Sequence, residues 1–175
     1  PFLFYLVYCF SNITSITATG LETVTYLQDE VHPVQRIGYI ALDAALDDPA
    51  FKLCAPNYVW IYSPFDGVGY KGEKPALVNA FKSQFRPIED PISNGYITIR
   101  FMVNCEGKSG RFRLTQIDEE YALSGNIDSG VVDQILEITK SLDGWQRNYY
   151  EGTYYDYHQY LTFKIKKGNI IEYLP

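Results

Sequence analysis

From Ile97 to Cys105 apolar and polar residues alternate, so Ile97, Ile99, Phe101, Val103 and Cys105 fall on one side of an extended chain. Thr98, Arg100, Met102 and Asn104 fall on the other, as expected of a strand buried on one face. Glu106-Gly-Lys-Ser-Gly110 has turn chemistry, and Phe112 and Leu114 resume the inward pattern in a returning strand. Opposed residues in a hairpin share a face, and pairing Cys105 with Gly110 satisfies that parity. Val131, Ile135, Ile138 and Leu142 then recur at helical spacing, with Asp128 or Ser129 as N-cap and Asp143-Gly144 as the stop. Trp145 follows at once. Tyr157 to Lys166 alternates again, with Leu161, Phe163 and Ile165 inward and Thr162, Lys164 and Lys166 outward.

Upstream, Pro33 to Leu46 carries Ile37, Ile40, Ala41, Ala44 and Ala45 at helical spacing and halts at Asp47-Asp48-Pro49, which predicts an amphipathic helix. Tyr58 to Tyr62 reads as a short buried strand. Pro75 to Phe85, with Leu77, Val78, Phe81 and Phe85 on one side, predicts a second helix, and Arg86 to Asn94 a linker.

The order of hairpin, amphipathic helix, Trp and closing strand resembles the TonB C-terminal domain family. Its pattern is a G-x-v-x-v-x-F-x-v-x-x-x-G hairpin, a helix ending at a Trp, and an i-x-F-x-i strand. Gly95, Ile97, Ile99, Phe101, Val103 and Gly107 match the hairpin, Trp145 the helix end, and Leu161, Phe163 and Ile165 the closing strand. The match spans about half the chain, Gln146-Arg147-Asn148 stands where the family has a nearby Pro, and residues 149–160 form a Tyr-rich insertion. The resemblance implies an α+β domain over residues 75–175. Its sheet is antiparallel, of at least three strands, with helices on one face. A helix-strand elaboration at 22–74 precedes it. It further implies a cell-envelope protein of a Gram-negative bacterium, periplasmic or outer-membrane-associated, that docks onto another protein as an accessory subunit of a membrane-associated assembly. Strand addition at the edge nearest Tyr157 to Lys166 is the route such a fold offers.

Composition narrows the chemistry. Among 175 residues 46% are apolar, ample for a core, and a net charge of −6 with a pI near 4.9 argues against nucleic acid as the partner. On the predicted sheet, Arg100, Arg111, Arg113, Lys164 and Lys166 nevertheless share the outward face. That stripe is either a solvated surface or a contact for an acidic partner, peptidoglycan or lipid headgroups.

Residues 1–21 are uncharged, and Phe2 to Phe10 is an unbroken apolar run, short of the roughly 20 residues a spanning helix needs. The readings are a signal or anchor remnant, with Ala18-Thr-Gly20 as a cleavage site and peripheral membrane attachment as a consequence, or a structural segment.

Cys9, Cys54 and Cys105 lack metal-ligand spacing, and only His32 and His158 could assist, so no metal is expected. Cys54 and Cys105 form a disulfide in an oxidising compartment or are two small buried thiols.

Gly67-Val-Gly-Tyr-Lys-Gly72 is a literal G-x-G-x-x-G. Asp66 beside the phosphate position, Pro64 in the strand, and Glu73-Lys74-Pro75 delaying the helix argue for a glycine-rich loop, and no nucleotide or other cofactor is expected. Asp43, Asp47 and Asp48, and Asp118-Glu119-Glu120, lack the alternate spacing of a calcium loop and read as solvated surface.

Tyr149, Tyr150, Tyr154, Tyr155, Tyr157 and Tyr160 crowd one short stretch and offer stiff contact area with polar tips, which suits a surface for protein or glycan. Tyr154, Tyr155, Tyr157, Tyr160, Thr162, Lys164, Arg100 and Arg113 are the candidate partner contacts. No nucleophile motif occurs and no catalysis is expected. An enzyme using the Tyr-rich stretch with Asp156 or His158 is a weaker alternative.

Overall fold

The structure is a computed structural model that describes residues 38, 40–56, 59–60, 69–123 and 125–174. The expectations for residues 1–21, for Cys9 and His32, and for Tyr58 and Ile61-Tyr62 lie outside the described residues. In chain order the elements are β1 (Val59–Trp60), α1 (Glu73–Gln84), β2 (Gly95–Val103), β3 (Ser109–Ile117), α2 (Ser129–Ser141), β4 (Asn148–Tyr150), β5 (Thr153–Lys166) and β6 (Asn169–Leu174). Among the described residues they make one six-stranded sheet and two helices, an α+β fold.

The sheet is mixed, not antiparallel throughout: β1 runs parallel to β5, with Val59 opposite Asp156 and Trp60 opposite Tyr157. β5 is also its centre. One side of β5 pairs with β2 along nine residues from Gly95↔Ile165 to Val103↔Tyr157. The other side takes β1 near its start and β6 near its end, and β4 pairs with the first residues of β5, before its pairing with β2 begins. The expectation that Tyr157 to Lys166 borders an edge is therefore overturned. Its fourteen residues make it long enough to serve two sets of neighbours.

The β2–β3 hairpin forms, with a different register. Ile99 opposes Leu114 and Ile97 opposes Gln116, but a bulge between Arg100 and Met102 brings Met102 opposite Gly110 and Val103 opposite Ser109. Cys105 does not pair with Gly110. The extra residue lies on β3, where Arg111 takes φ 55, and the turn starts earlier than its glycines suggest because Asn104 organises it. Asn104 Oδ1 accepts from the amides of Glu106 and Lys108, and Gly107, at φ 82, supplies the left-handed turn residue.

On one face of the sheet the inward residues are as the alternation predicts. Ile97, Ile99, Phe101 and Val103 of β2 and Leu161, Phe163 and Ile165 of β5 pack with Leu77 and Phe81 of α1 and Val131, Ile135 and Ile138 of α2 in one apolar cluster. α2 carries the predicted stripe and is capped by Asp128, whose carboxylate accepts from Gly130 N at 2.8 Å. Trp145 closes the end of the cluster, edge-on to Tyr70 at 4.9 Å and 5.0 Å from Phe101. α1 starts at Glu73 directly after Gly72, so the delay expected from Glu73-Lys74-Pro75 is absent, while Glu73 puts an acid in the first turn.

The opposite face was expected to be polar and wet, yet Thr98, Met102, His158 and Thr162 are buried there. Residues 40–52 lie across it as a strap. No helix forms in the described part of 33–46, where residues 44–46 are a turn. Asp47 explains the difference: its carboxylate accepts from Asp43 N at 2.8 Å and is gripped by Arg113, so the segment folds back on itself instead of winding on. Arg111 Nη1 donates to Ile40 O, Arg113 Nη2 to Ala41 O, and Asn104 Nδ2 to Lys52 O. Gly110 completes the seat, because a Cβ there would overlap the ring of Phe51.

Candidate functional site

The crowded tyrosines form a hairpin, not an irregular insertion. β4 and the start of β5 pair antiparallel, with Asn148↔Tyr155, Tyr149↔Tyr154 and Tyr150↔Thr153, around a turn in which Glu151 (φ 45) and Gly152 (φ 87) are left-handed. Such a two-residue turn twists with the strands. Facing residues therefore share a side, and the hairpin has two aromatic faces.

On one face Trp60 of β1 lies edge-on to Tyr150 at 5.5 Å and 6.1 Å from Tyr155. On the other, Tyr149 and Tyr154 contact at 4.9 Å, and the guanidinium of Arg147 sits 3.6 Å from the Tyr154 ring centre. Arg147 Nε also donates to Cys105 O at 2.8 Å, which fixes that guanidinium to the β2–β3 turn. Tyr149, Tyr150 and Tyr154 nonetheless stay 60%, 49% and 40% exposed. Rings locked by neighbours but open to solvent have little conformational entropy left to lose on binding.

Beneath the hairpin lies a knot. Cys54 and Cys105 are joined by a disulfide across a sequence separation of 51 residues. Asp156, fully buried on β5, accepts from Cys54 N at 3.2 Å, Ala55 N at 2.8 Å and Cys105 N at 2.9 Å. Three amides satisfy this carboxylate without a cation. Both sulfurs and an Asp156 oxygen lie within 4.8 Å of one another, but sulfurs bonded to each other cannot act as thiolate ligands.

The predicted contact residues scatter. Tyr154 is exposed and Tyr155 half-buried against Trp60, both in the hairpin. Tyr157 is a core residue: burial pushes its phenol well above the usual tyrosine range, and its hydroxyl donates to Gln146 O. Thr162 is buried on the strap side, its hydroxyl 3.0 Å from that of Thr98. Tyr157 and Thr162 cannot reach a partner.

The basic stripe is also spent in large part. Arg113 holds Asp47 through two contacts of 2.7 and 2.8 Å, with the arginine side chain 21% and the aspartate side chain 1% exposed. That pairing holds the Asp47 carboxyl below its ordinary range. Arg100 and Tyr160 are half-buried cross-strand neighbours, and the Lys164 ammonium lies 5.7 Å from the Tyr96 ring. Of the expected set, only Tyr154 and Tyr155 belong to the aromatic hairpin, on opposite faces of it, while Arg100 and Tyr160 are neighbours on the sheet.

Asp156 and His158 do not form an acid–base pair at a pocket. Asp156 is saturated by amides, and His158 is buried beside Met102 with the Trp60 backbone against its ring. Burial lowers the His158 pKa, and the nearby Arg100 acts in the same direction.

Trp60 and Arg147, which complete the aromatic surface, were not singled out in the sequence. The Tyr58-Val-Trp-Ile-Tyr62 run carried the aromatic signal for Trp60, whereas nothing in sequence ties Arg147 to Tyr154. No family model matches this chain, and neither the curated proteins nor the solved structures contain a match.

Proposed function

We propose that this chain is a non-catalytic cell-envelope protein that binds another protein, as an accessory subunit of a membrane-associated assembly, and that the β4–β5 hairpin with Trp60 is its docking surface. The observation that carries the reading is the triplet Tyr149, Tyr150 and Tyr154, exposed yet held by Trp60 and Arg147. Aromatic side chains of this kind dominate the energetically important centres of interfaces. The Cys54–Cys105 disulfide is compatible with an oxidising compartment such as the periplasm.

Docking by side chains at the hairpin replaces strand addition along Tyr157 to Lys166, because β5 has strands on both sides. Binding of acidic polymer to the basic sheet face loses support with Arg111 and Arg113 turned to the strap. The same rings could stack on sugars, which makes a glycan the competing ligand.

The test is affinity isolation from native membranes in mild detergent, comparing the wild type with Tyr149→Ser/Tyr154→Ser. Loss of a stoichiometric membrane-protein companion, with an unchanged thermal midpoint, supports the reading. Undiminished recovery overturns the hairpin as the surface, and retention on polysaccharide without any protein companion shifts the function to glycan binding.

A further inference from the structure

The disulfide lies six residues before Trp60, and its own neighbourhood is built around the strand that carries the tyrosines. Among the described residues, Val59–Trp60 is a two-residue parallel pairing, the shortest in the sheet. Among the described residues, this stretch of chain is attached further by a set of contacts just upstream. They are the Cys54–Cys105 bond, the Asp156 carboxylate on the amides of Cys54 and Ala55, and the strap contacts at Lys52, Asp47 and Ile40.

Only the disulfide is covalent, and it is accessible. Cys54 is exposed and Cys105 half-exposed, whereas Asp156 beneath them is fully buried. With the bond closed, any local opening of residues 40–60 is pinned to the β2–β3 turn at a point close to Trp60. With it open, the same segment is held by non-covalent contacts alone, and the entropy gained on release is no longer limited by the cross-link.

We propose that the Cys54–Cys105 pair is a redox control on the aromatic surface: oxidised, it fixes Trp60 against Tyr150 and Tyr155, and reduced, it releases the strap and β1 so that this aromatic face loses its support. The control rests on the reading of the hairpin as a docking surface, and it adds a condition under which docking fails. The chemistry is a two-electron exchange with a dithiol. One thiolate of the dithiol attacks the exposed Cys54 sulfur to form a mixed disulfide, and the Cys105 sulfur leaves and takes up a proton. The second thiol of the reagent then displaces the Cys54 sulfur, giving two protein thiols and an oxidised cyclic dithiol. Asp156 accepts from Cys105 N independently of the sulfurs, so this contact is expected to keep the turn on the sheet when the strap departs.

The experiment is amide hydrogen exchange read by mass spectrometry on the full chain, oxidised and after treatment with dithiothreitol, with reduction verified by the mass gain of two hydrogens. The expected result is exchange of about tenfold or more faster in residues 40–60 on reduction, with β2 and the β2-paired part of β5 unchanged. Quenching of Trp60 fluorescence by acrylamide should rise in parallel, read in a Trp145→Phe background. Cys54→Ser/Cys105→Ser should reproduce the reduced pattern without reagent. If that variant does not fold, the chemically reduced wild type alone decides. Unchanged exchange across residues 40–60 in verified reduced protein overturns the control, whatever the hairpin binds. Faster exchange together with companion recovery that ignores Tyr149→Ser/Tyr154→Ser leaves the conformational control standing and overturns the docking reading.

Discussion

The two faces of the sheet are held by different physics. Under the helices, Ile97, Ile99, Phe101, Leu161, Phe163 and Ile165 meet Phe81, Val131 and Ile135 in contacts that are apolar and non-directional. Under the strap, the attachments are a bidentate ion pair, an asparagine reaching a carbonyl and a disulfide, with a threonine–threonine hydrogen bond between β2 and β5 beneath them. The first face spreads its stabilisation over many atoms, and the second concentrates it in a few groups whose removal leaves partners stranded. A face of the second kind can be released at discrete points without melting the first.

The comparison can be broken most sharply on the helix side. Phe163→Ala removes a ring packed on Phe81 at 4.7 Å and is expected to cost about 3–5 kcal/mol in chemical denaturation. It should also lower the unfolding barrier for both faces together. A loss below about 1 kcal/mol would mean that the helix-side cluster is not the main store of stability.

Arg113→Leu strands the Asp47 carboxylate and is expected to cost less, about 2 kcal/mol, since the arginine is partly solvated. Hydrogen exchange should accelerate in residues 40–52 and not in α2. Equal acceleration in both would erase the distinction between the faces.

Thr98→Val alone leaves the Thr162 hydroxyl unpaired and should cost about 1 kcal/mol, whereas Thr98→Val/Thr162→Val should return close to wild-type stability. A double variant weaker than either single one would show that the hydroxyls do more than satisfy each other.

The smallest effect concerns pH. His158 titrates below its ordinary value of 6.5 in the fold, so the unfolded chain binds more protons between the two values. Its contribution is complete above pH 6.5 and declines as pH falls through that window. Asp47 is likewise held below its ordinary 3.8, so its contribution is present above 3.8 and is lost as pH falls further. Thermal midpoints measured from pH 7 to 5 should fall in the wild type and fall less in His158→Leu. Parallel curves would remove His158 from the account.

The same contrast explains what the sequence revealed. α2 was legible to its N-cap because Val131, Ile135, Ile138 and Leu142 repeat at the period of a helix and Asp128 has the chemistry of a cap. The inward residues of β2 and β5 were legible because alternation is a backbone property. Alternation says which side a residue takes, not whether that side is wet. Thr98 and Thr162 read as solvent-facing and are buried because each satisfies the other. The strap was read as a helix because Ile40, Ala41, Ala44 and Ala45 fit the period, and what defeats it is a carboxylate whose partner lies 66 residues away. For the candidate site, the tyrosines were visible as composition, but which of them face solvent depends on Trp60 and Arg147, brought in from elsewhere in the chain.

Among the described residues, β5 accepts β1, β2, β4 and β6 as neighbours, while only the strands β2 and β3 pair without it. As the chain appears N-terminus first on the far side of a translocation channel, the β2–β3 hairpin and α2 can assemble early, but Val59–Trp60 must wait for residues nearly a hundred positions later. Until then the apolar side of the hairpin has no closing strand and the two cysteines can meet without the Asp156 amide cradle between them. The order of synthesis thus makes this one strand the step at which nascent-chain handling and oxidative folding succeed together or fail together.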